Sequence, residues 1–148
     1  MRKLRDETAP GAEVVLQVPF YDVDMMRVAW HGHYLKYCER ARCALLDAIE
    51  YNYTEMETSG YIWPIVDLRL KFIRPARFNQ MIRVRASVAE YEHRLRLDYR
   101  ISDADSGERL TTGYSLQVAV AIASGEMCYA SPLILLEKLR RYREKMNG

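Results

Sequence analysis

The sequence predicts an α+β fold: a five-stranded antiparallel sheet, one long buried helix after its first strand, and a second helix near the C-terminus. Three observations predict it. Five segments alternate apolar and other residues with a period of two, the signature of strands that keep one face on a core. One stretch, His33 to Tyr51, switches to the helical period and lies between the first and second of those segments. The chain has 148 residues, 49% of them hydrophobic, which is enough for one substantial core and too short for two comfortable ones.

Residues 1 to 12 read as a loose arm ending in Pro10-Gly11, followed by a strand carrying Val14, Leu16, Val18 and Phe20 on one face. In the helix, Tyr34, Cys38, Ala41, Leu45 and Ala48 keep the 3.6-residue spacing, and Tyr37, Ala44 and Ile49 widen the stripe. Lys36, Glu39, Arg40, Asp47 and Glu50 mark the opposite side. A stripe this broad and this rich in small residues suits a helix packed closely by its neighbours. Thr54 to Glu57 reads as a capping box opening a short helix, with Ser59-Gly60 as its stop. Four alternations follow: Val66 to Phe72, Ile82 to Val88, Leu95 to Ile101 and Leu116 to Ile122, with Asp103 to Gly107 as a turn before the last. A final helix over 131–146 opens on Ser131 as cap and Pro132 in the first turn. It turns Leu135, Leu136 and Leu139 inward and Arg140, Arg141, Arg143 and Lys145 outward. No repeat, low-complexity tract or linker divides the chain, so residues 1–148 are expected to form a single domain.

A formal net charge of +2 argues against a nucleic-acid binder. No apolar run approaches the roughly 20 residues that span a bilayer, and the basic start Met1 to Asp6 is not followed by the apolar run of a secretory signal. Cys38, Cys43 and Cys128 are odd in number, contain no Cys-x-x-Cys, and lack zinc spacing with any histidine. Unpaired thiols of this kind fit a reducing compartment, and the cytoplasm is the expected location.

Chemistry-bearing residues are densest in Tyr21-Asp22-Val23-Asp24-Met25-Met26-Arg27-Val28-Ala29-Trp30-His31-Gly32-His33-Tyr34. Two carboxylates and two imidazoles stand there between a strand end and a helix start. Rigid elements on both sides can aim a carboxylate into a cleft. The unpaired N–H groups of a helix's first turn can stabilise a developing oxyanion. Polar residues at a helix start also serve simply as caps.

Phe20-Tyr21-Asp22-Val23-Asp24, with Val28, His31, Tyr34 and Glu39-Arg40-Ala41-Arg42, closely resembles the opening motif of the 4-hydroxybenzoyl-CoA thioesterase family. These are acyl-CoA thioesterases of the hotdog fold, in which the sheet wraps around a long central helix. The nearest resemblance is to the branch of bacterial short-chain and aromatic acyl-CoA thioesterases that includes enzymes associated with the Tol-Pal system. Arg74-Pro75-Ala76-Arg77 matches the family's Pro-Ala-Arg turn, and the likeness covers about residues 14 to 123. It implies Asp24 as the catalytic carboxylate, acting as nucleophile or as general base on water. His31 would mark the backbone N–H that grips the thioester oxygen. It further implies that Tyr21, Trp30 and Tyr34 meet substrate, and that Arg94 and Arg96 come from a strand that related enzymes bring to the nucleotide. No metal or cofactor is implied. The expected substrate is an acyl thioester of coenzyme A or of acyl carrier protein, and the expected assembly a homodimer or homotetramer with sites at subunit boundaries. Two departures stand out: Met26-Arg27 where the branch has small residues, and Asn79-Gln80 where an aspartate often follows the Pro-Ala-Arg turn.

Asp22 is the alternative base. Glu39 and Arg42, three apart, read as a helix-face pair, and His33 and His93 have no partners at ligand spacing. Arginines 83, 85, 94, 96 and 100 form a solvated or interface face, unless some meet phosphate. The basic terminal helix reads as a cap on the fold, and membrane association is not expected. Tyr51, Tyr53, Tyr61 and Trp63 either line an aromatic pocket or fill the core. Two rivals remain: a hotdog hydroxyacyl-thioester dehydratase, for which no second acid stands at the matching place on the helix, and a non-catalytic acyl-thioester-binding protein.

Overall fold

The computed structural model describes residues 9–147. In chain order these form β1 (Gly11–Gln17), single helical turns at Phe20–Asp22 and His31–His33, α1 (Tyr34–Ala48), α2 (Tyr53–Thr58), β2 (Tyr61–Ile62), β3 (Ile65–Phe72), β4 (Met81–Glu90), β5 (Leu95–Asp103), β6 (Arg109–Gln117), β7 (Val120–Ala121) and α3 (Leu133–Asn147). Five strands make one antiparallel sheet in the order β1-β4-β5-β6-β3, and β2 pairs with β7 as a separate ribbon. Of the expected N-terminal arm, residues 1–8 lie outside the described residues, while Gly11 and Ala12 already belong to β1.

One face of the sheet carries the core. Ile82, Val84, Ala86 and Val88 of β4 and Leu95, Leu97, Tyr99 and Ile101 of β5 are all buried. They form one cluster with Tyr34, Tyr37, Cys38, Ala41, Leu45 and Leu46 of α1. The buried stripe of α1 swings through Leu46 and Arg42, so Ala48, expected on it, is exposed instead. Leu45 has no solvent exposure, and truncating it to alanine would cost about 2–5 kcal/mol through lost burial and the cavity left behind. Tyr51 and Trp63 belong to this core, with the Trp63 indole donating to the Tyr51 hydroxyl at 3.1 Å. Leu135 and Leu139 of α3 close it.

Four local expectations are corrected. The last sheet strand is Arg109–Gln117, not Leu116–Ile122. From Thr111 onward its core-facing residues Thr111, Gly113, Ser115 and Gln117 are polar or small and so lack an apolar alternation. A Cβ on Gly113 would stand 2.2 Å from the Arg69 carbonyl oxygen, so only glycine lets β3 approach there. Phe20 leaves the first strand and stands exposed in a helical turn. The cap of α2 is Asn52, whose side chain accepts from the Tyr53 N–H at 2.8 Å, rather than Thr54. Ser131 is buried with its hydroxyl unpartnered among the described residues, so it does not cap α3.

Candidate active site

The segment between β1 and α1 is shaped by backbone bonds to the 74–80 turn. Val18 and Ala29 N–H groups donate to Gln80 and Ala76 carbonyls at 2.9 and 2.7 Å, and Phe78 N–H donates to Arg27 O at 3.1 Å. Within the segment, Val23 bridges Ala29, Asp24 N–H donates to Val28 O at 3.0 Å, and Arg27 N–H donates to Asp24 O at 3.0 Å. The result is a short hairpin with Asp24 at the base of its turn. Arg27 has φ +62°, a left-handed conformation that glycine adopts without a Cβ penalty.

Asp24 is exposed. Its Oδ1 accepts from the Met26 N–H at 2.8 Å, which fixes the carboxylate's orientation, and Oδ2 has no partner among the described residues. Asp22, two residues earlier, is 3% exposed. Its Oδ2 accepts from the Tyr37 hydroxyl at 2.8 Å and its Oδ1 from Lys36 Nζ at 2.9 Å, with His33 Nδ1 3.6 Å away. Burial pushes this carboxyl up, but the bonds from Lys36 and Tyr37 and the nearby His33 overcome it, and the group lies below its ordinary 3.8. Burial first, and then the bond to the Asp22 carboxylate and its charge, drive the Tyr37 hydroxyl well above its usual range. Asp22 is therefore a tether that pins the loop to the first turn of α1. Its partners Lys36 and Tyr37 lie 14 and 15 residues downstream, so no short motif could have announced it.

Trp30 N–H donates to Asp22 O at 3.0 Å, and the half-exposed indole folds back over Gly32. A Cβ there would lie 2.1 Å from the ring. The ring also packs on His31 (4.8 Å between centroids) and edge-on to His33 (5.4 Å). Tyr34 and His33 N–H groups are used within this turn, whereas the N–H groups of His31 and Gly32 have no acceptor among the described residues. Exposed Phe20, Tyr21, Met25 and Met26 make the surroundings unusually apolar for a surface.

The residues expected at substrate divide into three places. Tyr21 and Trp30 stand at this open junction. Tyr34 lies in the core, 3% exposed, with its hydroxyl accepting from the Ala76 N–H at 2.9 Å and its ring 5.1 Å from Phe72. Burial raises the pKa of that hydroxyl. Arg94 and Arg96 sit at the far end of the sheet, where Arg94 pairs with Glu90 at 3.1 Å and Arg96 with Asp98 at 2.9 Å. β1 ends opposite Met81, the start of β4, whereas Glu90 is its last residue. At about 3.3 Å per residue, β4 separates the two groups by roughly 30 Å within one protomer. Glu39 and Arg42 do pair, at 2.6 Å, but Arg42 is buried and also meets the Tyr53 hydroxyl. Cys38, Cys43 and Cys128 are all free, and burial pushes the Cys38 thiol up to about 12. Among the described residues no group of three or more His, Cys, Asp or Glu side chains is placed to hold a metal ion.

Comparison with known proteins bears on this geometry. A family model described as the thioesterase-like superfamily matches residues 18–139. The protein sll0410 of Synechocystis sp., named as an esterase, is 28% identical over 144 residues, covering 97% of this chain and 87% of its own. The acyl-CoA thioesterase YbgC of Helicobacter pylori is 31% identical over 74 residues, 50% of this chain and 53% of its own. Among solved structures, Slr0204, a 1,4-dihydroxy-2-naphthoyl-CoA thioesterase from Synechocystis, shares the fold. Its TM-score is 0.77 at 21% identity, over 88% of this chain and 96% of that one.

Proposed function

The chain belongs to the thioesterase-like superfamily, and from that premise we propose that it hydrolyses a short-chain or aromatic acyl thioester of coenzyme A with Asp24 as the working carboxylate. It is a thioester hydrolase of the hotdog fold. The finer placement, in the 4-hydroxybenzoyl-CoA thioesterase branch, rests on the Asp22-Val23-Asp24, His31 and Pro75-Ala76-Arg77 motifs, and acyl carrier protein is the second carrier to consider. The described residues contain no helix long and apolar enough to cross a membrane. Action in the cytoplasm, by one domain spanning 1–148, completes the reading.

The observation that carries the proposal is the pairing of an exposed, oriented carboxylate with two unpartnered N–H groups at a helix start. In the proposed reaction the thioester oxygen accepts from the N–H groups at His31 and Gly32, which stabilise the charge as the carbonyl carbon becomes tetrahedral. In one route Asp24 Oδ2 attacks that carbon, the thiolate of coenzyme A leaves, and water cleaves the resulting anhydride. In the other, Asp24 takes a proton from water as the water attacks, and the same thiolate leaves.

β3 supports self-association. It is an edge strand of eight residues, its other side unpaired among the described residues, with Leu68 and Phe72 exposed on the core-facing side. A two-fold copy pairing antiparallel along β3 sets one protomer's Phe72 end, next to Tyr34, against its partner's Ile65 end. In β6 that end pairs through Gln117 with Leu95 of β5. The partner's Arg94 and Arg96 thereby approach the Asp24 junction that they cannot reach within one chain. The test is thiol release from a panel of acyl-CoA substrates spanning short, long and aromatic acyl groups. Turnover confined to short or aromatic members is expected; no turnover of any member, or a preference for long chains, would overturn the substrate class.

A further inference from the structure

The outer face of the sheet, turned away from α1, holds a groove of about 390 Å³ lined by six basic residues and a single acid. The strand registers order them. Arg85 of β4 pairs with Arg100 of β5, Arg100 with Thr112 of β6, and Thr112 with Lys71 of β3. These four residues form one straight row across four strands, about 14 Å long at the usual strand spacing. Every member is a hydrogen-bond donor. Arg69 and Arg109 flank the row within the same groove.

The acid in the lining, Asp98, is already engaged by Arg96, whose guanidinium lies over the Tyr114 ring at 4.2 Å. Among the described residues, Arg69, Lys71, Arg85, Arg100 and Arg109 have no carboxylate within ion-pair distance. Like charges directly opposite on neighbouring strands destabilise a sheet, and Arg85 beside Arg100 is such a pair. The chain's net charge is only +2, so this density of cations is a local feature.

We propose that the Arg85–Arg100–Thr112–Lys71 row binds an oligophosphate group. Guanidinium forks and a hydroxyl in line match successive phosphates, and several anionic charges on one ligand offset the repulsion along the row. The groove shares Arg96 with the proposed nucleotide contact but no residue of the β1–α1 junction itself, and none of the four row residues belongs to either. Direct binding is therefore measurable whether or not the hydrolase reading holds. The phosphates have two possible sources, the nucleotide end of coenzyme A or a separate nucleotide.

Titration calorimetry with inorganic tripolyphosphate at low salt tests the site. Saturable binding at one per protomer is expected, weakening as salt rises and at least about tenfold weaker in Arg85→Ala/Arg100→Ala. Lys71→Ala, a single exposed change on the edge strand, gives the same direction should the double variant fail to fold. Adding 3′,5′-ADP and ATP as competitors separates the sources. A raised KM for acyl-CoA but not acyl-pantetheine in Arg85→Ala assigns the row to the substrate's nucleotide. A change in turnover on adding ATP, lost in the same variant, assigns it to a separate ligand. No saturable heat, or binding untouched in both variants, overturns the proposal.

Discussion

Asp22 and Asp24 are the same side chain two residues apart, and the fold treats them as opposites. Asp22 is buried, holds Lys36 and Tyr37, and keeps its carboxyl below the ordinary value. Asp24 is exposed, held by one backbone N–H, and otherwise open. The difference comes from what lies opposite each one: the first turn of α1 for Asp22, solvent for Asp24. A carboxylate whose acceptor sites are filled stabilises the fold, and one left open is available to a substrate.

The sharpest way to break this contrast is to neutralise each carboxylate. Asp24→Asn is expected to lower thioester turnover by about 10²–10⁴-fold while leaving thermal unfolding unchanged, the scale of a lost acid–base or nucleophilic group. Turnover within about threefold of the parent would move the chemistry elsewhere. Asp22→Asn should do the reverse first, costing about 1–3 kcal/mol of stability at neutral pH by denaturant titration, because it weakens bonds to a buried charge. A folded-state pKa below the unfolded value means a contribution present above about 3.8 and lost as pH falls through the folded value. The gap between parent and Asp22→Asn should therefore narrow below pH 3.8; a gap constant down to pH 2 would show that the charge is not what matters.

Two smaller tests sharpen the surroundings. Arg27→Gly relieves a left-handed residue in the turn that aims Asp24, and a gain of up to about 1 kcal/mol is expected, partly offset by greater freedom in the unfolded chain. A fall in the melting temperature would show that the Arg27 side chain contributes more than its backbone strain removes. Arg94→Ala should raise KM for acyl-CoA with kcat nearly unchanged, and less so at high salt, while sparing a truncated acyl-pantetheine. Equal slowing of both substrates would leave Arg94 as the partner of Glu90 and nothing more.

Legibility in the sequence followed the same division. β3, β4 and β5 were readable because Leu68, Val84 and Leu97 alternate with charges, and α1 because Tyr34, Cys38, Ala41 and Leu45 keep the helical period through most of its length. β6 was not. Its inner face is polar yet buried: Ser115 bonds the Tyr99 hydroxyl at 2.7 Å and the Gln117 amide donates to the Trp63 carbonyl at 2.8 Å, so polarity there does not report exposure. The motif singled out Asp24 by resemblance, but strand parity could not tell it from Asp22, because the single helical turn at Phe20–Asp22 resets the alternation. The cation row was half visible as Arg85 and Arg100. Lys71 and Thr112 join it only through strand register, which a linear pattern does not contain.

The bonds that shape the β1–α1 hairpin also set how it moves. Three amides, those of Asp24, Ala29 and Phe78, are tied across Val28, Ala76 and Arg27, so the turn and the 74–80 segment form one small hydrogen-bonded patch. Neither side can open without breaking bonds to the other, and deuterium uptake at all three amides should rise together rather than at the turn alone. A turn locked in this way does not swing aside as a gate. In the proposed reaction acyl groups would meet a rim of fixed outline, and selection among them would rest on shape rather than on movement of the chain.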